Sequence, residues 1–151
     1  MATIKVSRDI AAPVEDVFAL FTDIEHGSAH VTGIKSVKMM TFGEFRLGTK
    51  WGETREVLGR LDDAEMEITA FERNRSYTIT HHKAGVRVDT VFTFEPAPAG
   101  TRVSIEFALN PQGLPLALLS PLEWAIAGKV REVLAHDLLD LKNSIEKGAP
   151  V

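Results

Sequence analysis

A chain of 151 residues has the length of one ordinary domain, so we expect a single domain over residues 1–151. It contains no cysteine, which excludes disulfide bonds, zinc–thiolate sites and thiol catalysis. Its 17 Lys and Arg residues against 21 Asp and Glu give a formal charge of −4, and the basic residues are scattered, so we expect no nucleic-acid partner. The N-terminus lacks the apolar core of a signal peptide, and no apolar run reaches the ~20 residues of a membrane span. We therefore expect a cytoplasmic protein.

The N-terminal segment predicts a strand followed by two short helices. Residues 3–10 alternate between apolar and polar side chains, which is typical of a half-buried strand. Pro13 then stands where the first turn of a helix tolerates proline. Gly27 weakens any helix in the segment that follows, so we expect only a short turn of helix there. The apolar residues of the first helix recur at helical spacing and are Val14, Val17, Phe18, Leu20 and Phe21.

The middle of the chain predicts six more strands. They are separated by short breaks rich in glycine, asparagine or proline, such as Asn74 and the stretch at 96–100. Breaks this short join neighbouring strands as antiparallel hairpins. The strands are expected at 34–41, 49–58, 61–71, 76–83, 86–95 and 101–109, with a turn at 43–48.

Residues 121–146 predict one long amphipathic helix. At about 100° per residue, its apolar side chains fall within one half of the helical circle. A helix of this length measures about 40 Å and can span a whole sheet. The order of elements predicts an α+β fold, in which a curved antiparallel sheet of about seven strands packs against the long helix. A long helix laid across such a sheet can leave a hollow between the two layers.

Four stretches of the chain carry a resemblance to a known superfamily. They are Ile10-Ala11-Ala12-Pro13 with Val17-Phe18 and Asp23, Gly48-Thr49-Lys50-Trp51 with Val57-Leu58-Gly59, Phe92-Thr93-Phe94-Glu95 with Gly100-Thr101-Arg102-Val103, and the closing helix. With these stretches the chain resembles the START/Bet v 1-like (SRPBCC) superfamily, and most of all its polyketide cyclase/dehydrase and lipid transport group. The resemblance implies a helix-grip fold, in which the sheet wraps round the C-terminal helix and encloses a cavity. The superfamily includes lipid and steroid carriers, hormone receptors, polyketide aromatase/cyclases and co-chaperone domains, so the fold alone does not choose a function.

Strand parity indicates which side chains face the hollow. Trp51, Glu53 and Arg55 share one face with Val57, and the two apolar members indicate that this is the inner face. On the closing helix, the carboxylates of residues 123 and 137 lie inside the apolar stripe. A mostly apolar pocket with a few polar groups is the common form of a small-molecule site. The cavity candidates are Trp51, Glu53, Arg55, Tyr77, His81, Thr90, Phe92, Phe94, Ile105, Phe107, Glu123, Val130 and Asp137.

Two interpretations of the polar candidates stay open at this point. In the first, these side chains supply polar contacts to a ligand. In the second, the carboxylates form an internal ion pair with Arg55, or they are exposed to solvent where the helix overhangs the sheet. The residues concerned are Glu53, Arg55, His81, Glu123 and Asp137.

No pattern in the sequence predicts a metal site or a cofactor, and we expect neither. His81 and His82 are adjacent on a strand and face opposite sides. His26 and His30 are four residues apart, but Gly27 undermines a helix between them, and no third ligand is evident. The serines lack the context of a nucleophile elbow, so a hydrolase triad is not expected.

The apolar stretch GLPLALLSP at 113–121 lies between the last strand and the long helix. It can act as an entrance flap, a membrane-touching loop or a dimer contact, so a homodimer is one open alternative. It can also fold inward and plug one end of the cavity, which is the interpretation that we favour.

Three functions are carried forward as hypotheses. The first is a non-catalytic carrier or sensor for a small hydrophobic molecule such as a lipid, a polyketide or an aromatic metabolite. The second is a polyketide cyclase/aromatase-like enzyme, in which Arg55 orients a carbonyl group and Glu53 or His81 moves a proton. The third is a module that binds a partner protein through a sheet edge or the 113–121 stretch. We rank the carrier first, because the apolar faces are extensive and the acid–base candidates lack a diagnostic spacing.

Overall fold

A computed structural model describes residues 2–57, 59–83, 85–111 and 120–147. For residues 2, 111, 120–128 and 147 it describes the backbone but not the side chains. Most of the described residues belong to one antiparallel sheet and three helices, with a turn of 3₁₀ helix at Ile24–His26. The strands are β1 (Ala2–Ile10), β2 (Ile34–Met39), β3 (Lys50–Val57), β4 (Arg60–Glu72), β5 (Ser76–Lys83), β6 (Val86–Ala97) and β7 (Gly100–Pro111). The helices are α1 (Val14–Phe21), α2 (Gly27–His30) and α3 (Ser120–Lys147).

The seven strands lie in the order β1-β7-β6-β5-β4-β3-β2, and every neighbouring pair is antiparallel. Strands β2 to β7 follow one another as hairpins, whereas the segment that contains α1 and α2 crosses from the β1 edge to the β2 edge. The prediction of an α+β helix-grip fold with a seven-stranded sheet and two short helices after the first strand is confirmed.

Two β-bulges and one covered edge shape the sheet. The strand registers shift between Ile34 and Ser36 in β2 and between Ile68 and Ala70 in β4, and a bulge bends the strand that carries it. At the β1 edge, Arg131 and Lys142 of α3 donate hydrogen bonds to backbone carbonyl groups of β1. The long helix therefore covers a row of backbone groups that would otherwise be open to strand addition.

Helix α1 buries an aromatic cluster against the sheet. Val17, Phe18 and Phe21 are buried at helical spacing, as the sequence predicts. The ring of Phe18 meets the ring of Phe94 edge-on at 5.1 Å, and Tyr77 stacks on Phe92 at 4.7 Å. Aromatic pairs in these geometries add stability beyond the area that they bury. This cluster fills the end of the molecule that α1 covers.

Helix α3 contributes its C-terminal half to the same core. Leu134 and Leu138 are buried there, one helical turn apart. Within the described residues, no helix is both long enough and apolar enough to cross a membrane.

The observed elements differ from the sequence expectations mainly at their ends. Strand β6 continues to Ala97 and pairs there with Gly100, so the expected break at 96–100 shrinks to a two-residue turn. Gly100 permits this tight connection, because its φ of +145° is a conformation that other residues rarely adopt. Of the apolar stretch at 113–121, residues 120 and 121 open α3, and residues 113–119 lie outside the described part of the chain.

Candidate functional site

A cavity of about 450 Å³ lies between the inner face of the sheet, the segment at 20–34 and helix α3. Most of its wall is apolar, and strands β3 to β7 all contribute to it. Its apolar side chains include Leu20, Phe21, Ile24, Val31, Ile34, Trp51, Val57, Met66, Ile79, Phe92, Ile105, Phe107, Val130, Val133, Leu134 and Leu141.

A chain of polar side chains crosses the cavity wall from β3 to α3. The indole nitrogen of Trp51 donates to Glu53 Oε1 at 3.3 Å, and Arg55 Nε donates to Glu53 Oε2 at 3.4 Å. Arg55 Nη1 also lies 3.1 Å and 2.9 Å from the two carboxylate oxygens of Asp137 on α3. Strand parity explains this arrangement, since residues 51, 53 and 55 all point to the inner face.

Burial and ion pairing work against each other in this cluster. Burial opposes the charged form of Arg55, but Asp137 and Glu53 outweigh it, so the pKa of Arg55 is raised. For Asp137 burial wins over the attraction of Arg55, and its pKa is raised above the usual value for aspartate. One guanidinium is therefore shared between two carboxylates, and neither carboxylate has it alone.

His81 and Tyr77 line the cavity beside Glu53. Burial lowers the pKa of His81, although the nearby Glu53 carboxylate acts in the opposite direction. The Nδ1 atom of His81 is buried and has no hydrogen-bond partner among the described residues. Burial also raises the pKa of Tyr77, whose hydroxyl donates to the carbonyl of Phe21 at 3.4 Å. Both side chains are thus uncharged near neutral pH.

Ion pairs and hydrogen bonds hold the more exposed polar groups at the rim. Asp62 pairs with Lys83, Asp23 with His26 and Lys129 with Glu132, while His30 shares a hydrogen bond with Ser144. Among the side chains that the structure describes, no three from His, Asp or Glu come close enough together to hold a metal ion.

The structure brings most of the sequence candidates to the cavity wall. Phe94 is different: it faces the same side of the sheet but packs in the core against Phe18 and Phe21, because α1 covers its end of β6. The side chain of Glu123 lies outside the described residues. The candidates on the wall are Trp51, Glu53, Arg55, Tyr77, His81, Thr90, Phe92, Ile105, Phe107, Val130 and Asp137, and their contact with a ligand stays a prediction.

Sequence reasoning missed two parts of the wall. Asp62, Ala64 and Met66 of β4 line it, and their alternation is visible in the sequence, but a small residue and a charged residue do not mark an inner face. The segment at 20–34 was also missed, because its irregular backbone has no period from which a face can be read. Its Gly27 and Val31 both reach the cavity.

Comparisons with known proteins agree with this architecture. The family model described as polyketide cyclase/dehydrase and lipid transport matches residues 1–146. No curated protein matches the chain significantly in sequence.

Several solved structures share the fold at low sequence identity. The protein TTHA0849 from Thermus thermophilus has a TM-score of 0.80 and 17% identity, over 98% of this chain and 99% of its own. A START superfamily protein from Mycobacterium smegmatis has a TM-score of 0.78 and 14% identity, over 97% and 99%. The Zhui aromatase/cyclase from Streptomyces sp. R1128 has a TM-score of 0.79 and 11% identity, over 99% of both chains. Because the family model covers nearly its whole length, the chain belongs to the polyketide cyclase/dehydrase and lipid transport family.

Proposed function

We propose that this protein binds a small, mainly apolar molecule in its internal cavity and acts as a carrier or sensor for it. The observation that carries the proposal is the cavity of about 450 Å³, with its apolar wall and one compact polar cluster. Ligand sites in proteins commonly have volumes of roughly 300–1,000 Å³ and this mixture of wall groups. A protein-interaction module has no need of such an internal space.

The relatives support the same proposal. The family description includes lipid transport, and one structural neighbour is a START superfamily protein. Both the family and the fold are compatible with a lipid, a polyketide or an aromatic metabolite as the ligand.

The first experiment is native mass spectrometry of the protein as purified from cells, beside a denatured control. A mass excess that disappears on denaturation is expected and identifies a retained ligand. The second experiment measures the binding of N-phenyl-1-naphthylamine, an uncharged fluorescent molecule whose emission rises in apolar surroundings. A protein that retains nothing and also fails to bind this fluorophore would overturn the proposal.

A pair of variants locates the binding site. Ala64 of β4 lines the cavity, so Ala64→Phe places a ring in the space and is expected to abolish fluorophore binding. Ala70 lies on the same strand but is exposed, so Ala70→Phe makes the same chemical change outside the cavity and serves as the control. Equal loss of binding in the two variants, or in neither, would place the site elsewhere.

A second candidate function is a polyketide cyclase/aromatase-like enzyme. Arg55 Nη2 makes no hydrogen bond with any described residue, so it is available to donate to a ketone oxygen. Glu53 lies close enough to His81 for its charge to act on the pKa of the imidazole, and either side chain can accept a proton from a bound substrate. The aromatase/cyclase among the structural neighbours makes this chemistry compatible with the fold.

Turnover of a synthetic poly-β-ketothioester tests this second candidate. Glu53→Gln, Arg55→Ala and His81→Ala are each expected to reduce cyclisation if the enzyme hypothesis holds, by roughly 10²-fold or more for a group that moves a proton. Unchanged turnover in all three variants would remove the hypothesis and leave the carrier.

A further inference from the structure

The polar cluster of the cavity carries an excess of negative charge. Glu53 and Asp137 supply two carboxylates, and Arg55 supplies one guanidinium. All three are shielded from solvent, with side-chain exposures of 10%, 13% and 20% respectively. Charges this well buried are screened much less by salt than charges at the surface.

The rim does not compensate for this excess. Its charged side chains are more exposed than those of the cluster. Each already has a partner outside the cluster, which is either an oppositely charged residue or a histidine that can become charged. These rim pairs are Asp62 with Lys83, Lys129 with Glu132 and Asp23 with His26. Within the described part of the chain, Arg55 is therefore the one cation on the cavity wall that is largely shielded from solvent.

The cluster has both donors and acceptors that its internal hydrogen bonds do not use. Arg55 Nη2 can still donate, and each carboxylate oxygen that already accepts one bond has a further lone pair. An alcohol, a phenol or a ketone can use these groups without adding charge. A ligand carboxylate that approached Arg55 would instead stand beside two carboxylates that already share it, and like charges at such distances disfavour the ionised form.

We propose that this cavity selects uncharged ligands that carry a hydroxyl or ketone oxygen, and that it excludes carboxylates of the same shape. Glu53 and Asp137 are the residues that determine this selectivity, and Arg55 is the donor to the ligand oxygen. The proposal rests on the proposed function, since it assumes that the cavity takes a ligand. Under this proposal the cavity binds fatty alcohols, phenols and ketones, and it excludes free fatty acids and aromatic acids.

Competition against N-phenyl-1-naphthylamine tests the selectivity on the unmodified protein. Two matched pairs are used at neutral pH: 1-decanol against decanoate, and 2-naphthol against 2-naphthoate. Within each pair the carboxylate is expected to compete at least about tenfold more weakly, because like charges brought together at a binding site are costly. Carboxylates that compete as well as their uncharged counterparts would overturn the selectivity but leave cavity binding intact. Absence of fluorophore binding would overturn the proposed function itself, and this proposal with it.

Charge-removing variants assign the selectivity to its residues. Asp137→Asn and Glu53→Gln each leave one carboxylate for Arg55. The two members of a ligand pair are then expected to differ less than about threefold in how strongly they compete with the fluorophore. Glu56→Gln is the matched control, because Glu56 lies on the same strand, is exposed and pairs with Lys35 on the outside. It removes the same unit of charge and is expected to keep the full discrimination. Retained discrimination in both cavity variants would assign the effect to other residues, and the comparison in the unmodified protein decides the selectivity if a variant fails to fold.

Discussion

Replacement of Arg55 by methionine gives the sharpest test of the charge cluster. The substitution keeps much of the apolar stem and removes the guanidinium that Glu53 and Asp137 share. Both carboxylates then stay in a largely buried environment without a cation. Their exposures of 10% and 13% leave little room for water to replace the lost partner.

Removal of one partner from a buried ion pair costs about 3–5 kcal/mol. We expect the lower end, about 3 kcal/mol, because both carboxylates retain some contact with solvent. For a chain of this length each kcal/mol lowers Tm by about 2–4 °C, so Arg55→Met is expected to lower Tm by about 6–12 °C. The matched control is Arg102→Met, which breaks a bidentate pair with Asp9 on the exposed side of the sheet. Solvent screens this exposed pair, so its loss is expected to lower Tm clearly less than Arg55→Met does.

The pH dependence separates the loss of charge pairing from a simple packing defect. Burial already raises the pKa of Asp137 above its ordinary value in the presence of Arg55, and removal of that cation raises it further. A raised folded-state pKa of an acid destabilises the protein most above that pKa, and the penalty disappears as pH falls towards the unfolded-state value. The difference in Tm between Arg55→Met and the unmodified protein is therefore expected to be larger at pH 8 than at pH 5.

Thermal unfolding followed by circular dichroism at the two pH values measures these effects. Addition of Glu53→Gln and Asp137→Asn to Arg55→Met removes the unpaired charges and is expected to recover most of the lost stability. If Arg55→Met costs no more than Arg102→Met, or if its cost does not change with pH, the assignment of a buried and mutually dependent charge cluster is wrong.

Three further expectations concern the fold and the cavity histidine. Gly100→Ala places a Cβ atom 2.5 Å from the carbonyl oxygen of Ile10, so it is expected to lower the free energy of unfolding, measured by chemical denaturation, by more than about 3 kcal/mol. In Gly59→Ala the new Cβ atom meets no atom within 4 Å, so only the positive φ is unfavourable and the expected loss is about 1–2 kcal/mol. In an NMR titration burial is expected to place the pKa of the His81 imidazole below that of an exposed histidine. A pKa equal to that of an exposed histidine would contradict its place in the wall. Leu138→Ala removes a fully buried side chain of α3 and is expected to cost about 2–5 kcal/mol, so a cost below about 1 kcal/mol would show that α3 does not pack on the sheet as described.

The sequence predicts the sheet well because its strands obey a period of two. Parity alone assigns Trp51, Glu53 and Arg55 to one face, and all three lie on the cavity wall. The position of Asp137 inside an apolar helical stripe likewise predicts an unusual environment, and it pairs with Arg55 across 82 residues of chain. Periodic elements place their side chains by local geometry, so the pattern survives into the folded structure.

What parity cannot predict is where the two layers touch and where they separate. Phe92 and Phe94 share a face of β6, yet Phe92 lines the cavity and Phe94 packs under α1. The boundary between core and cavity is set by how far α1 reaches over the sheet, which is a property of the assembled fold. The same limit applies to Gly27 and Val31, which reach the cavity from a segment without a period.

Stability alone does not explain the ion-pair cluster. Two charged groups gain little from each other when both must leave water, and well-packed apolar residues in their place are often equally or more stable. The Arg55–Asp137 pair does join α3 to β3, on the side of the sheet far from the β1 edge that α3 also contacts. An apolar contact would serve that mechanical purpose equally well, but it would remove the guanidinium from the cavity wall. The proposed selectivity for a hydroxyl or ketone oxygen over a carboxylate would require both the guanidinium and the carboxylates around it. Under that proposal, the costly arrangement in an otherwise apolar space would have a reason in ligand recognition.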